Sequence, residues 1–264
     1  MSAANDGDGL VFRPLAESGL LVEFDDAIDL AITTRVMAVV AAIDAAMLPG
    51  LLDVVPSYRT ILLSFDPLRT DGETIAAEVR RWAVRSAATE TPPAREVTIP
   101  VAYGGEHGPD LAGVAAHTGL AAADVIARHA AADYVVACMG FAPGFAFLVG
   151  LPPELATPRR SNPRIRVPAG SVGIGGAQTG VYPLATPGGW HLIGRTPSRL
   201  FDLDRAEPFL LGPGDRVRFR AIAEEEYDAI APAPGGQDPE LSRRSPLKRP
   251  GAVGLAPVPP HADG

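Results

Sequence analysis

At 264 residues, 47% hydrophobic and 20% charged, the chain has the composition of an ordinary globular protein and the length for two small domains with packed cores. A formal charge of −8 argues against a nucleic-acid binder, and the one cysteine, Cys138, leaves nothing for an internal disulfide or a cysteine metal site. The acidic start MSAANDGDGL lacks the basic start and apolar core of a signal peptide and no run of about 18 apolar residues occurs, so neither a leader nor a membrane span is expected and a reducing, cytoplasmic setting is.

The first hundred residues alternate strands and helices. Gly19 to Phe24 predicts a strand, and Ile28, Ile32, Val36, Val39, Ile43 and Met47 recur at helical spacing until Pro49 and Gly50 end the pattern. Leu51–Ser57 and Thr60–Phe65 predict a hairpin, and Asp71 opens a helix carrying Ile75, Val79 and Trp82. After a proline-containing break at Thr91–Pro93, Glu96–Val101 predicts a further strand. The order is then β-α-β-β-α-β, the split βαβ pattern of ferredoxin-like α+β domains.

This places a first domain at residues 1–93, with its last strand at 95–102 leading into a connector. Two short helices are expected within 108–130, with Gly119 as a helix C-cap between them. From Tyr134 the helical period stops. Short apolar runs separated by PG, GG and GPG turns (Tyr134–Phe141, Val172–Ile174, Val181–Leu184, Trp190–Ile193, Arg216–Phe219) predict a compact β-barrel within a second domain at 94–225. Residues 226–264, rich in Pro and Gly, read as a mobile tail.

Charge is unevenly spread. Between Leu155 and Arg220 there are ten arginines against four acids, and Lys248 is the chain's only lysine. Arg159, Arg160, Arg164 and Arg166 fall in a loop stiffened by Pro158, Pro163 and Pro168, a pattern suited to a carboxylate or phosphate; pairing with acidic residues of the first domain is the alternative. The run AGSVGIGGAQTG offers Gly173, Gly175 and Gly176 as backbone donors for an anion, or as barrel corners where chains approach closely. It lacks the Gly-Lys-Ser/Thr ending of a Walker loop, so ATP binding is not read from it.

Ser171 has no strand-turn-helix context for a nucleophile, and Cys138 sits among apolar neighbours that raise a thiol pKa. The five histidines show no metal spacing. His129 ends a predicted helix and stands either at the barrel mouth or as a helix cap. Phe141, Phe145 and Phe147, framed by Gly140, Pro143 and Gly144, wall a pocket or plug the barrel.

An ordered series of motifs goes further: Tyr103-Gly104-Gly105, Gly108-Pro109-Asp110-Leu111, His129 with Tyr134, GFAPGFAFL, Pro158-Arg159-Arg160, Pro163-Arg164, Val167 to Val172, Gln178-Thr179-Gly180, Pro187 to Trp190 and Gly194-Arg195-Thr196. Together, over roughly residues 10 to 222, these resemble the family of the 5-oxoprolinase B subunit, also labelled allophanate hydrolase subunit 1, which includes a sporulation-kinase inhibitor. Phe147 stands where a tyrosine is expected.

The resemblance implies a ferredoxin-like domain followed by a cyclophilin-like barrel. It also implies a non-autonomous chain with two partners. Together with a homologous-barrel C subunit, plus an A subunit, it would open 5-oxo-L-proline to L-glutamate with hydrolysis of ATP handled by the complex. Inhibition of a sensor histidine kinase, or a carboxyltransferase role in urea breakdown, are the alternatives. On this footing Arg159, Arg160, Arg164, Arg166 and Arg195, with Gly173, Gly175 and Gly176, are the expected anion-binding groups. Gln178 and His191 are expected to orient substrate, His129 to carry a proton, and no metal to take part.

Overall fold

The computed structural model describes residues 9–86 and 94–231. Its N-terminal unit contains β1 (Val11–Leu15), β2 (Gly19–Glu23), α1 (Leu30–Ala46), β3 (Leu51–Pro56), β4 (Thr60–Phe65) and α2 (Gly72–Ser86). Asp29 starts α1 by accepting hydrogen bonds from the N–H groups of Ala31 (2.7 Å) and Ile32 (3.4 Å), and Met47, in the left-handed region at φ 44°, ends it ahead of Pro49. Val36, Val39 and Ile43 of α1 and Ile75 and Val79 of α2 bury against Leu20, Val22, Ile61 and Leu63 of the sheet, forming one apolar core.

The sheet order is β1-β2-β4-β3, antiparallel throughout. The fourth place is held by β1, which the sequence pattern missed. Pro14 disqualifies it as a central strand but not as an edge strand, and an edge is where it lies.

The strand expected to complete this sheet belongs elsewhere. β5 (Glu96–Tyr103) joins β6 (Tyr134–Met139), β7 (Ala146–Val149), β9 (Ser171–Ile174), β10 (Thr179–Val181), β12 (His191–Arg195) and β13 (Arg216–Ile222) in a closed barrel of order β10-β7-β6-β13-β5-β12-β9. It lies parallel to β13 along its length and antiparallel to β12. Its burial explains the difference: Val97, Ile99 and Val101 are buried in the barrel's own core and Ala102 is buried as well, a near-continuous apolar run rather than a half-solvated alternation.

The remaining strands, β8 (Arg164–Val167) and β11 (Thr186–Gly188), form a separate two-stranded ribbon. Helices α3 (Leu111–Thr118) and α4 (Ala122–Ala131) occupy the expected connector, with Gly119 capping α3 at φ 71°. Helix α5 (Glu224–Ile230) runs through the expected start of the tail, whose remainder at 232–264, like the break at 91–93, lies outside the described residues. Among the described residues no helix is long and apolar enough to cross a membrane.

The two cores are separate, yet the units touch. Helix α1 packs on β6, and Tyr58, in the turn between β3 and β4, sets its ring edge-on to Phe147 of β7 at 6.1 Å between centroids. Beside this junction a cleft of about 570 Å³ runs between Val54, Val55 and Pro56 on one side and Met139 to Gly144 and Phe209 on the other.

Candidate functional site

Asp110 organises the arginine loop. It precedes α3 but makes no side-chain cap to that helix; its carboxylate, on a residue 8% exposed, turns to Arg160 (3.0 Å) and to both terminal nitrogens of Arg164 (2.7 and 2.8 Å), and accepts from the Leu192 N–H at 2.7 Å. Burial alone would raise the Asp110 carboxyl, but the Arg164 and Leu192 hydrogen bonds and the charges of Arg164 and Arg160 together hold it below its ordinary value. Arg160 and Arg164, expected to bind a ligand, are thus both paired with this carboxylate. The expected pairing partner also differs, since Asp110 comes from the connector and not from the first hundred residues.

The glycine run is likewise engaged in structure. The Gly175 N–H donates to the Gln178 carbonyl (3.0 Å) and the Gly176 N–H to the Thr157 carbonyl (2.7 Å), while Gly173 lies in the ladder between β10 and β12. A Cβ on Gly175 would stand 2.3 Å from Cδ1 of Trp190, so this glycine is needed for the indole to lie against the backbone. These N–H groups are not a phosphate cradle.

His129 is fully buried and stacks on Phe219 at 4.7 Å. Its tautomer follows from its partners. The Thr179 hydroxyl donates to the Gly173 carbonyl (3.0 Å), so its oxygen accepts from Nε2–H of His129 (2.9 Å), and Nδ1 accepts from the Tyr103 hydroxyl (2.8 Å). Burial lowers the imidazole pKa to about 3. The ring, expected to carry a proton at the barrel mouth, is neutral, buried and paired at both nitrogens.

Arg195, at the opposite end of β12 from His191, donates to the Ala169 carbonyl at 2.8 Å. Arg166 is exposed on the β8–β11 ribbon. His191 donates from Nε2 to the Pro158 carbonyl at 3.0 Å, fixing the backbone next to Arg159.

Tyr58 stands beside Gln178 and feels the charge of Arg159. Arg159 is exposed and makes no ion pair among the described residues, and its charge reaches the phenols of Tyr58 and Tyr182. Burial pushes the Tyr58 phenol well above its usual value, as does the neighbouring Cys138, while the Gln178 hydrogen bond and the Arg159 charge pull the other way. Burial also raises Cys138, against hydrogen bonds from Ser57 and Tyr58, so the thiol stays protonated as expected of a packing residue.

Behind these groups stands an aromatic wall. Phe145 lies 4.7 Å from Phe147, 5.3 Å from Tyr182 and 5.7 Å from Trp190, and Phe141, at φ 68°, leans edge-on to Phe145 and Tyr182. Asp110 and Tyr58 are the residues that reading for basic and glycine-rich motifs overlooked. The signal for Asp110 was present, as the lone acid in Gly108-Pro109-Asp110-Leu111, whereas Tyr58 sat unremarked in the hairpin connection.

The model of the family described as carboxyltransferase domain, subdomain C and D, matches residues 10–211. The chain is 46% identical over 209 residues to the B subunit of 5-oxoprolinase from Escherichia coli O157:H7, covering 78% of this chain and 93% of that one. The chain belongs to the 5-oxoprolinase B-subunit family. Against the Bacillus subtilis (strain 168) protein of that name it is 40% identical over 225 residues, covering 81% and 94% of the two chains.

The B-subunit fold is also found in the crystal structure of TTHA0988, with a TM-score of 0.68 and 39% identity over 78% of this chain; the chain spans only 40% of that longer protein. Kluyveromyces lactis urea carboxylase shares the fold at a TM-score of 0.62 and 21% identity, over 84% of this chain and 22% of that one.

Proposed function

We propose that the chain is the B subunit of an ATP-dependent 5-oxoprolinase, inactive alone and working with the A and C subunits of that enzyme to open 5-oxo-L-proline to L-glutamate. The observation that carries this is the identity of 46% and 40% to proteins named as 5-oxoprolinase B subunits, sustained over 93% and 94% of their lengths. The reading takes residues 1–93 as a ferredoxin-like domain, its fourth strand supplied by the N-terminal hairpin, and 94–225 as a cyclophilin-like barrel in a cytoplasmic complex.

Opening a lactam is slow because the amide is resonance-stabilised, so the oxygen and the carboxylate must be held while the ring carbon is attacked. Arg159 supplies a cation for the substrate carboxylate, Gln178 orients the ring amide, and the aromatic wall excludes water from its apolar edge. The glycine run does not fit the phosphates of ATP, because its N–H groups are engaged in the barrel; nucleotide handling is assigned to the assembled complex.

The test is reconstitution of the purified chain with its A and C partners and measurement of glutamate formed from 5-oxo-L-proline. Turnover that requires all three chains is the expected result, and no glutamate from folded, assembled partners overturns the reading. Biotin-dependent carboxyl transfer in the same mixture would instead assign the urea-type carboxyltransferase role.

A further inference from the structure

None of the described residues that line the cleft between the two units has a polar side chain. Val54, Val55 and Pro56 of β3 form one wall, and Phe141, Pro143 and Phe209 stand on the other. Because β3 is an edge strand, no further strand of the sheet covers its wall among the described residues. Phe141 is 63% exposed and Phe209 45%, and Phe141 is held there in the left-handed region at φ 68°. Contiguous apolar surface of this kind marks an interaction site, and grooves flanked by aromatic rings suit proline-rich chain.

A wall without polar groups restricts what lies against it. Each backbone N–H carried into the cleft loses water and finds no acceptor on a lining side chain, so the occupant must be poor in donors. Proline has no N–H and holds the chain extended in advance. The chain itself contains such a stretch, LAPVPP at 255–260, which lies outside the described residues and carries only apolar side chains. The other proline-rich stretch of the tail, PAPGG at 232–236, offers no side chain larger than proline.

Charge and reach favour the same occupant. All four cations of residues 232–264 fall between Arg243 and Arg249, just ahead of this stretch, while residues 1–93 carry fourteen acids against seven arginines. Asp53, beside Val54, and Glu207, two residues before Phe209, are both exposed. From Ala231 to Leu255 an extended chain spans about 80 Å, against a radius of gyration of about 17 Å for a compact protein of this size. Such a tether keeps the stretch at about millimolar local concentration, enough for a weak apolar contact to persist.

We infer that residues 255–260 of the chain dock in the cleft, with their prolines against Phe141 and Phe209 and with Lys248 and Arg249 toward the acidic N-terminal unit. The tail thereby bridges β3 and the barrel.

The experiment compares 15N spectra of the full-length chain with those of a chain ending at Arg249, which lacks no residue of either core. The backbone amide signals of Val55, Gly140, Phe141 and Phe209 should move, and those of Val114 and Leu192 should not. Synthetic peptide 250–264 added to the shortened chain should return the moved signals toward their full-length positions. Phe141→Ala should weaken that peptide by about tenfold. In the full-length chain Leu255→Asp should reproduce the shortened chain's spectrum at those four positions.

Identical cleft signals in the full-length and shortened chains overturn the docking. If they then shift only when a C subunit is added, the cleft belongs to that partner instead. Shifts that grow with protein concentration and accompany a doubled mass in light scattering assign the tail to a second copy, and overturn docking within one chain. Peptide shifts scattered beyond the cleft, or an affinity indifferent to Phe141→Ala, overturn it as well.

Discussion

Arg164 grips Asp110 through both terminal nitrogens, and this one contact ties the β8–β11 ribbon to the residue that introduces α3. With the Leu192 N–H on the same carboxylate, a single buried acid holds ribbon, helix and β12 in register.

Asp110→Asn keeps the shape and the Leu192 contact but leaves two guanidiniums without their charge partner, and should cost about 3 kcal/mol in urea unfolding. Arg160→Ala, which removes one bond from a more exposed side chain, should cost about 1 kcal/mol. Because the folded Asp110 carboxyl titrates below its ordinary value of 3.8, its contribution is complete above that pH and is lost as pH falls through the lower folded value. Stability curves against pH for wild type and Asp110→Asn should converge there.

His129 gives a second, separate acid window. The unfolded imidazole takes up a proton below about 6.5 while the folded one resists until about 3, so stability present at neutral pH drains away between those values. The slope is at most about 1.4 kcal/mol per pH unit. At pH 5, 15N spectra of the ring should show a neutral imidazole with the proton on Nε2, and His129→Gln should lower stability overall while flattening its pH dependence.

Gly175→Ala and Gly176→Ala should differ sharply although the residues are adjacent. At Gly175 a methyl collides with Trp190, so a loss of about 2–3 kcal/mol and a change in tryptophan fluorescence are expected. At Gly176 nothing lies within 4 Å of the new Cβ and only the φ of 68° resists, so the cost should stay near about 1 kcal/mol with the fluorescence unchanged. Chemical unfolding followed by fluorescence checks both.

Local pattern was enough for α1, β4 and the paired helices of the connector, because each buries one face of its own at its own period. It failed where a partner far along the chain decides the outcome. The apolar run of β5 fits either sheet, and only pairing with Arg216 to Ile222 reveals which. The site behaved the same way: clustering of basic residues was visible, but whether an arginine faces a ligand or a carboxylate depended on Asp110, 50 positions away from Arg160. Among four neighbouring arginines the sequence offered no means of separating Arg159 from Arg160.

The parallel pairing of β5 with β13 joins Glu96 to Arg216 and Ala102 to Ile222, so the barrel is sewn shut by strands from its two sequence extremes. Closure must wait until the ribosome has released nearly everything up to Ile222, whereas every strand and helix of the N-terminal unit is complete by Ser86. Synthesis thus completes the chain of the small sheet, with its β3–β4 turn and Tyr58, about 135 residues before the last strand the barrel needs.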